Sequence, residues 1–165
     1  MSCIVLVGPM GAGKTTLGKK LATSMGLPFS DTDKMIEKMH GPIVKIFETQ
    51  GEEVFRSYET DALTEALNTG GVVATGGGVV LREENRKALS GHKVIFLDTN
   101  SESVIKRVNL LKRPLLRDNP ERWQEIYLQR LELYKSVAKQ TLFTGNRPIK
   151  VLLEELKAKV ENDGN

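Results

Sequence analysis

Cys3-Ile4-Val5-Leu6-Val7 runs directly into Gly8-Pro9-Met10-Gly11-Ala12-Gly13-Lys14-Thr15-Thr16, and the reading of this junction decides the fold. A short, continuous apolar run predicts a central strand buried on both faces. Lys14 to Ser24 then carries helical periodicity and stops at Gly26, so the glycines occupy a turn between a strand and a helix. In that setting the pattern G-x-x-x-x-G-K-T is a phosphate-binding loop. Its spacing has a physical reason: glycines let consecutive backbone N–H groups converge on phosphate oxygens, and the following helix turns its positive end toward them. Gly11, Ala12 and Gly13 are the expected cradle. Lys14 brings charge to the β- and γ-phosphates, Thr15 offers a hydroxyl to Mg²⁺, and Thr16 stands on the α-phosphate side. The full pattern in this context outweighs a glycine-rich turn with no ligand. It does not choose a reaction, because GTPases, ATPases and kinases share the element.

Outward from the loop, short β-branched runs alternate with longer helical patterns, which predicts an α/β domain with a parallel sheet covered on both faces. Further strands are expected at Pro28 to Asp31, Val72 to Ala74, Lys93 to Leu97 and Thr141 to Thr144. Helices are expected from a Thr32 or Asp33 cap to His40, over Ile43 to Thr49, Gly51 to Asn68, Glu83 to Leu89, Ser101 to Val108, Glu121 to Lys139 and Ile149 to Glu161. Asn109 to Pro120, with two prolines and several charges, reads as a mobile loop.

A chain of 165 residues suits a single domain, and 39% hydrophobic with 27% charged residues excludes intrinsic disorder. No apolar stretch approaches a membrane span, and the opening residues lack the basic leader and cleavage site of a secretion signal, so a cytosolic protein is expected. The net charge of +3 comes from scattered Lys and Arg without an aromatic RNA signature, which gives no support to a nucleic-acid partner. Cys3 cannot form an internal disulfide and reads as small buried filler. His40 and His92 have no partner at metal-ligand or triad spacing, and Trp123 reads as a packing anchor.

The acceptor must come from elsewhere in the chain. Asp31 and Asp33, two apart at a predicted strand end, project to the same side while the backbone stays extended. One could hold Mg²⁺ waters and the other accept the proton of an attacking hydroxyl, and either could equally be a helix cap. Arg56, Arg113 and Arg130, each taken alone, read as solvated or surface-paired residues.

Together, Gly8 to Thr16, Asp31-Thr32-Asp33, Gly51-Glu52-Glu53-Val54-Phe55-Arg56, Gly76-Gly77-Gly78, Arg113-Pro114-Leu115-Leu116 and Arg130 with Tyr134 closely resemble the shikimate kinases, in order over nearly the whole chain. The resemblance implies a P-loop NTPase-type, three-layer α/β/α fold with a five-stranded parallel sheet. It implies acceptor-binding helices at about 32–62 and a mobile lid at about 109–120. It implies transfer of the ATP γ-phosphate, with Mg²⁺, to the 3-hydroxyl of shikimate, a step of chorismate and aromatic amino-acid synthesis. A monomer is the expected state. Under the resemblance Asp33 contacts the acceptor hydroxyl as its base, and Asp31 serves Mg²⁺ through water. Arg56 and Arg130 grip the shikimate carboxylate, a task for which the planar guanidinium fork is suited. Gly77 lets a backbone N–H approach the substrate, Arg113 swings in to neutralise charge on the transferring phosphoryl group, and Arg107 and Arg147 flank the adenine.

The chain departs from the family pattern in two places. Val108-Asn109-Leu110-Leu111 is more apolar than the usual lid, and Leu142-Phe143-Thr144-Gly145-Asn146-Arg147 lacks the Asp before Thr. Two other readings keep the phosphate loop: a gluconate kinase relative with a different acceptor, and a regulatory module that binds nucleotide without transferring phosphate.

Overall fold

The computed structural model describes residues 2–111 and 120–162, with residues 107–111 and 120 described by backbone alone. The strands are β1 (Ile4–Val7), β2 (Phe29–Asp31), β3 (Val72–Ala74), β4 (Lys93–Asp98) and β5 (Gln140–Phe143). They form one all-parallel sheet in the order β2-β3-β1-β4-β5. The apolar run read first in the sequence is therefore its central strand, buried throughout.

Alternation along β1 divides the interior into two layers. Ile4 and Leu6, with Val72, Ile95 and Leu97, pack against Leu17 and Leu21 of α1 (Lys14–Met25) and Leu152 and Leu156 of α8 (Ile149–Asn162). Val5 and Val7, with Val73, Val94 and Phe96, face the opposite side. There they meet Leu63 of α4 (Glu52–Thr69), Leu89 of α5 (Glu83–Leu89) and Tyr134 of α7 (Pro120–Val137). Full burial of one such aliphatic side chain contributes about 1.5–3 kcal/mol, so the two layers stabilise the sheet from both sides. This is the three-layer α/β/α architecture of the P-loop NTPase type.

A satellite core of Ile36, Ile46, Phe55 and Ala62 ties together α2 (Thr32–His40), α3 (Ile43–Gln50) and α4 at the β2 edge. On the other flank α6 (Ser101–Leu111) meets α7 through Val104 and Trp123.

The structure corrects two local expectations. The cap of α2 is Asp31, whose Oδ1 accepts from Lys34 N at 3.2 Å, and neither Thr32 nor Asp33. The strand ends at Asp31, two residues short of the extended backbone that a shared projection of the two aspartates requires, so Asp33 belongs to the first helical turn. The ends of the expected loop at 109–120 are helical instead: α6 runs on through Leu111, and α7 starts at Pro120. Proline at the first helical position suits its fixed φ and missing N–H. Residues 112–119, with Arg113 and most of the expected lid, lie outside the described residues.

Candidate active site

The C-terminal ends of β1, β2 and β3 open on one cavity of about 500 Å³, where a doubly covered parallel sheet places its ligands. The phosphate loop forms one wall. Asp33, Gly77, Arg130 and Tyr134 line the other side.

The loop begins at Gly8, with φ +146°, where a Cβ would lie 2.3 Å from the Leu97 carbonyl oxygen of the neighbouring strand. Only glycine lets the chain leave β1 here. Lys14, 9% exposed, folds back so that Nζ donates to the carbonyls of Gly8 at 2.5 Å and Pro9 at 2.8 Å. Burial lowers its pKa to about 8, against the upward pull of Asp33 and Asp31, and Arg130 adds to the depression. An anionic ligand in the cavity reverses that pressure by favouring the charged amine.

Thr15 donates its hydroxyl to Asp31 Oδ2 at 2.6 Å. Asp31 thus caps α2 with one oxygen and meets the phosphate-loop helix with the other. The two readings of this residue, cap and metal-side carboxylate, are compatible. A hydroxyl beside a single carboxylate is the hard-oxygen donor set that fits Mg²⁺, which keeps most of its waters and takes phosphate oxygens as well. Among the described residues no group of three or more His, Cys, Asp or Glu could hold a metal ion by itself.

Asp33 is half-buried, and its carboxyl pKa is raised, first by burial and then by Asp31, against the opposing charges of Lys14 and Arg56. It stands against Gly76, where a Cβ would come within 2.6 Å of Asp33 Oδ1 and 3.0 Å of Glu59 Oε2. Gly78 abuts Arg56 in the same way, with a Cβ position 2.2 Å from Arg56 Nη1. The glycine run therefore has a steric role: it lets side chains of α2 and α4 close over the end of β3.

Arg56 is buried, which overturns its reading as a solvated surface residue. Its Nη1 donates to Glu59 Oε1 at 3.0 Å, and Nε lies 3.4 Å from Glu52 Oε2. Glu59 is 1% exposed, and burial raises its pKa while Arg56 holds it down. Sequence reasoning passed over Glu59. The available signal was its place three residues after Arg56, on the helical face that also carries the buried Leu63. Arg130, half-buried, reaches Gly77 from α7, its Nη1 3.5 Å from a Cβ position there, and Tyr134 donates its hydroxyl to the Gly77 carbonyl at 2.6 Å.

Trp123 is a packing anchor, as expected, but its anchorage is the phosphate loop. Its indole N–H donates to the Met10 carbonyl at 2.9 Å, and its ring stacks on Tyr127 at 5.1 Å. Tyr127 in turn donates to Asp98 Oδ1 at 2.8 Å. His92 accepts from Cys3 N, and His40 stacks on Tyr58, so the structure gives both histidines structural partners.

Arg147 lies beyond β5, donating to the Phe143 carbonyl and the Glu155 carboxylate. Neither Arg147 nor Arg56 is among the residues that line the cavity shared by Lys14, Thr15, Asp33, Gly77 and Arg130. Arg107 is described by its backbone on α6, and Arg113 is outside the described residues.

Comparison with known proteins supports one relationship throughout. The family model for shikimate kinase matches residues 10–161. The shikimate kinase of Salinispora tropica is 45% identical over 158 residues, covering 93% of this chain and 95% of that protein. Among solved structures, shikimate kinase from Acinetobacter baumannii in complex with shikimate gives a TM-score of 0.90 at 38% identity, covering 99% of this chain and 94% of that one. A gluconokinase from Sinorhizobium meliloti 1021 reaches a TM-score of 0.68 at 17% identity, over 98% and 92% of the two chains, a likeness of fold alone. By family match, identity and fold, over a sheet whose strand ends carry the phosphate loop, Asp33 and the buried Arg56, this chain belongs to the shikimate kinase family of ATP-dependent kinases.

Proposed function

We propose that this chain transfers the γ-phosphoryl group of ATP to the 3-hydroxyl of shikimate, giving shikimate 3-phosphate and ADP. The observation that carries the reading is the single cavity on which Lys14, Thr15, Asp33 and Arg130 all open. The acceptor hydroxyl lies against Asp33, which takes its proton as the oxygen attacks the γ-phosphorus and the bond to the ADP oxygen breaks. A desolvated carboxylate is a stronger base than an exposed one, in line with the raised pKa of Asp33. Lys14 follows the charge that moves onto the β/γ-phosphate oxygens, and Arg113 adds to it from the lid. Thr15, and Asp31 through water, would hold Mg²⁺, which would supply charge neutralisation to the phosphates.

Arg56 and Arg130 bind the shikimate carboxylate. Arg56 is restrained by Glu59 before any ligand arrives, so less freedom is lost on binding. Gly77 lends a backbone N–H, and Arg107 and Arg147 flank the adenine. The protein acts as a cytosolic monomer without nucleic-acid or membrane partners; no described helix is long and apolar enough to cross a membrane. The test is a coupled ADP-release assay with shikimate, gluconate and nucleoside monophosphates side by side. Turnover restricted to shikimate is expected, and its absence overturns the assignment.

A further inference from the structure

Tyr134 is wholly buried, its ring packed on Phe96 with centroids 5.1 Å apart. Phenylalanine would fill that apolar space equally well, yet the hydroxyl points to the site end of the ring and donates to the Gly77 carbonyl at 2.6 Å. A carbonyl only accepts, so the phenolic proton is committed to Gly77. Arg130, one helical turn earlier on α7, stands against the same Gly77, its Nη1 3.5 Å from a Cβ position there. Burial holds the phenol's pKa above its ordinary value, so the proton stays in place.

The peptide held by this bond is Gly77–Gly78. Its amide is trans, which sends its C=O and N–H in opposite directions and fixes the whole plane once the carbonyl is held. Gly78 is the residue on which the Arg56 guanidinium rests. A line of contacts therefore runs from Arg130 and Tyr134, which both meet Gly77, through Gly78 to Arg56, joining α7 to α4 across the end of β3.

We propose that Tyr134 is a positioning residue for acceptor recognition: by pinning the Gly77 carbonyl beside Arg130, its hydroxyl sets the Gly77–Gly78 peptide on which Arg56 rests and holds the two arginines at the spacing of one carboxylate. The inference rests on the reading of Arg56 and Arg130 as a carboxylate grip. It predicts a loss confined to acid recognition. The phenol donates its hydrogen bond to Gly77 and not to the phosphate loop or Asp33.

The experiment compares wild type with Tyr134→Phe in the coupled assay, using shikimate and its methyl ester. The KM for shikimate is expected to rise about tenfold, the loss of one hydrogen bond acting on a charged group, with kcat and the KM for ATP within about twofold. The preference for shikimate over the ester falls by a similar factor, which a merely structural role would not produce. A second variant, Tyr134→Met, drops the hydroxyl while filling the same space and gives the same split. The proposal is overturned if the shikimate KM and the ester preference stay at wild-type values, or if the KM values for both substrates rise together with a lowered Tm. Wild-type turnover of gluconate in place of shikimate overturns the proposed acceptor alone, and the same split is then read on the gluconate KM.

Discussion

The hydroxyl of Thr15 and the carboxylate of Asp31 meet at 2.6 Å, joining the helix that follows the phosphate loop to the helix that carries Asp33. Asp31 has two separable duties, one per oxygen. Asp31→Asn keeps an N-cap acceptor and is expected to hold stability within about 0.5 kcal/mol, while raising the Mg²⁺ concentration needed for half-maximal activity. Asp31→Ala loses both duties and costs about 1 kcal/mol besides. Thermal melts and Mg²⁺ titrations of the two variants separate the roles; equal Mg²⁺ requirements in wild type and Asp31→Asn would remove the metal role.

Asp33 trades stability for chemistry. Its folded pKa is raised above the unfolded value, so at neutral pH the native state bears the cost of a desolvated charge, a cost relieved only as pH falls through the folded pKa. Asp33→Asn is therefore expected to raise Tm. Phosphoryl transfer falls about 10²–10⁴-fold in the same variant, with ATP affinity retained. Retained transfer would reduce Asp33 to a structural role and revive the regulatory-module reading.

The pH profile is expected to have two limbs, one from Lys14 and one from Asp33. The pKa of Lys14 near 8 places its loss of charge within the working range, so kcat/KM for ATP is expected to fall above about pH 8. The alkaline limb of kcat lies higher, because bound phosphates favour the ammonium form. On the acid side, activity disappears as Asp33 protonates, at a pH above that of an ordinary carboxylate. A kcat/KM profile flat to pH 9.5 would contradict the Lys14 assignment.

The glycine run supplies a steric control. In Gly76→Ala the new Cβ lies 2.6 Å from Asp33 Oδ1 and displaces the acceptor carboxylate. A misplacement of this size is expected to lower kcat about 10²-fold. At Gly77 the nearest atom to a new Cβ is 3.5 Å away, an ordinary contact, so Gly77→Ala stays within about 0.5 kcal/mol of wild-type stability. Its effect is expected in the KM for shikimate. Steady-state kinetics with melting curves on both variants check the contrast.

The strands and most helix limits were legible because they rest on local signals, such as the apolar run of β1 and the Gly26 stop of α1. The end of α6 was not. Charge and two prolines between 109 and 120 suggested a loop, while the apolar Val108, Leu110 and Leu111 let the helix continue to Leu111. At the candidate site the phosphate loop was readable from its own spacing, and the remaining residues only from their order along the chain. Glu59 escaped notice because a Glu three residues after an Arg is an unremarkable helical pair until its burial is known.

The stretch from Cys3 to Thr16 was enough, as sequence, to establish a strand, a phosphate loop and a helix, since each depends on neighbours along the chain. The ordered motifs that follow it identified the family. Tertiary structure alone decided that Arg56 is a buried, ion-paired guanidinium seated on Gly78, that Asp31 and not Asp33 caps α2, and that Tyr134 reaches from the core to Gly77. The reason is physical. Burial and pairing depend on which side chains from distant segments close over the end of β3, and local sequence spacing carries almost nothing about that approach.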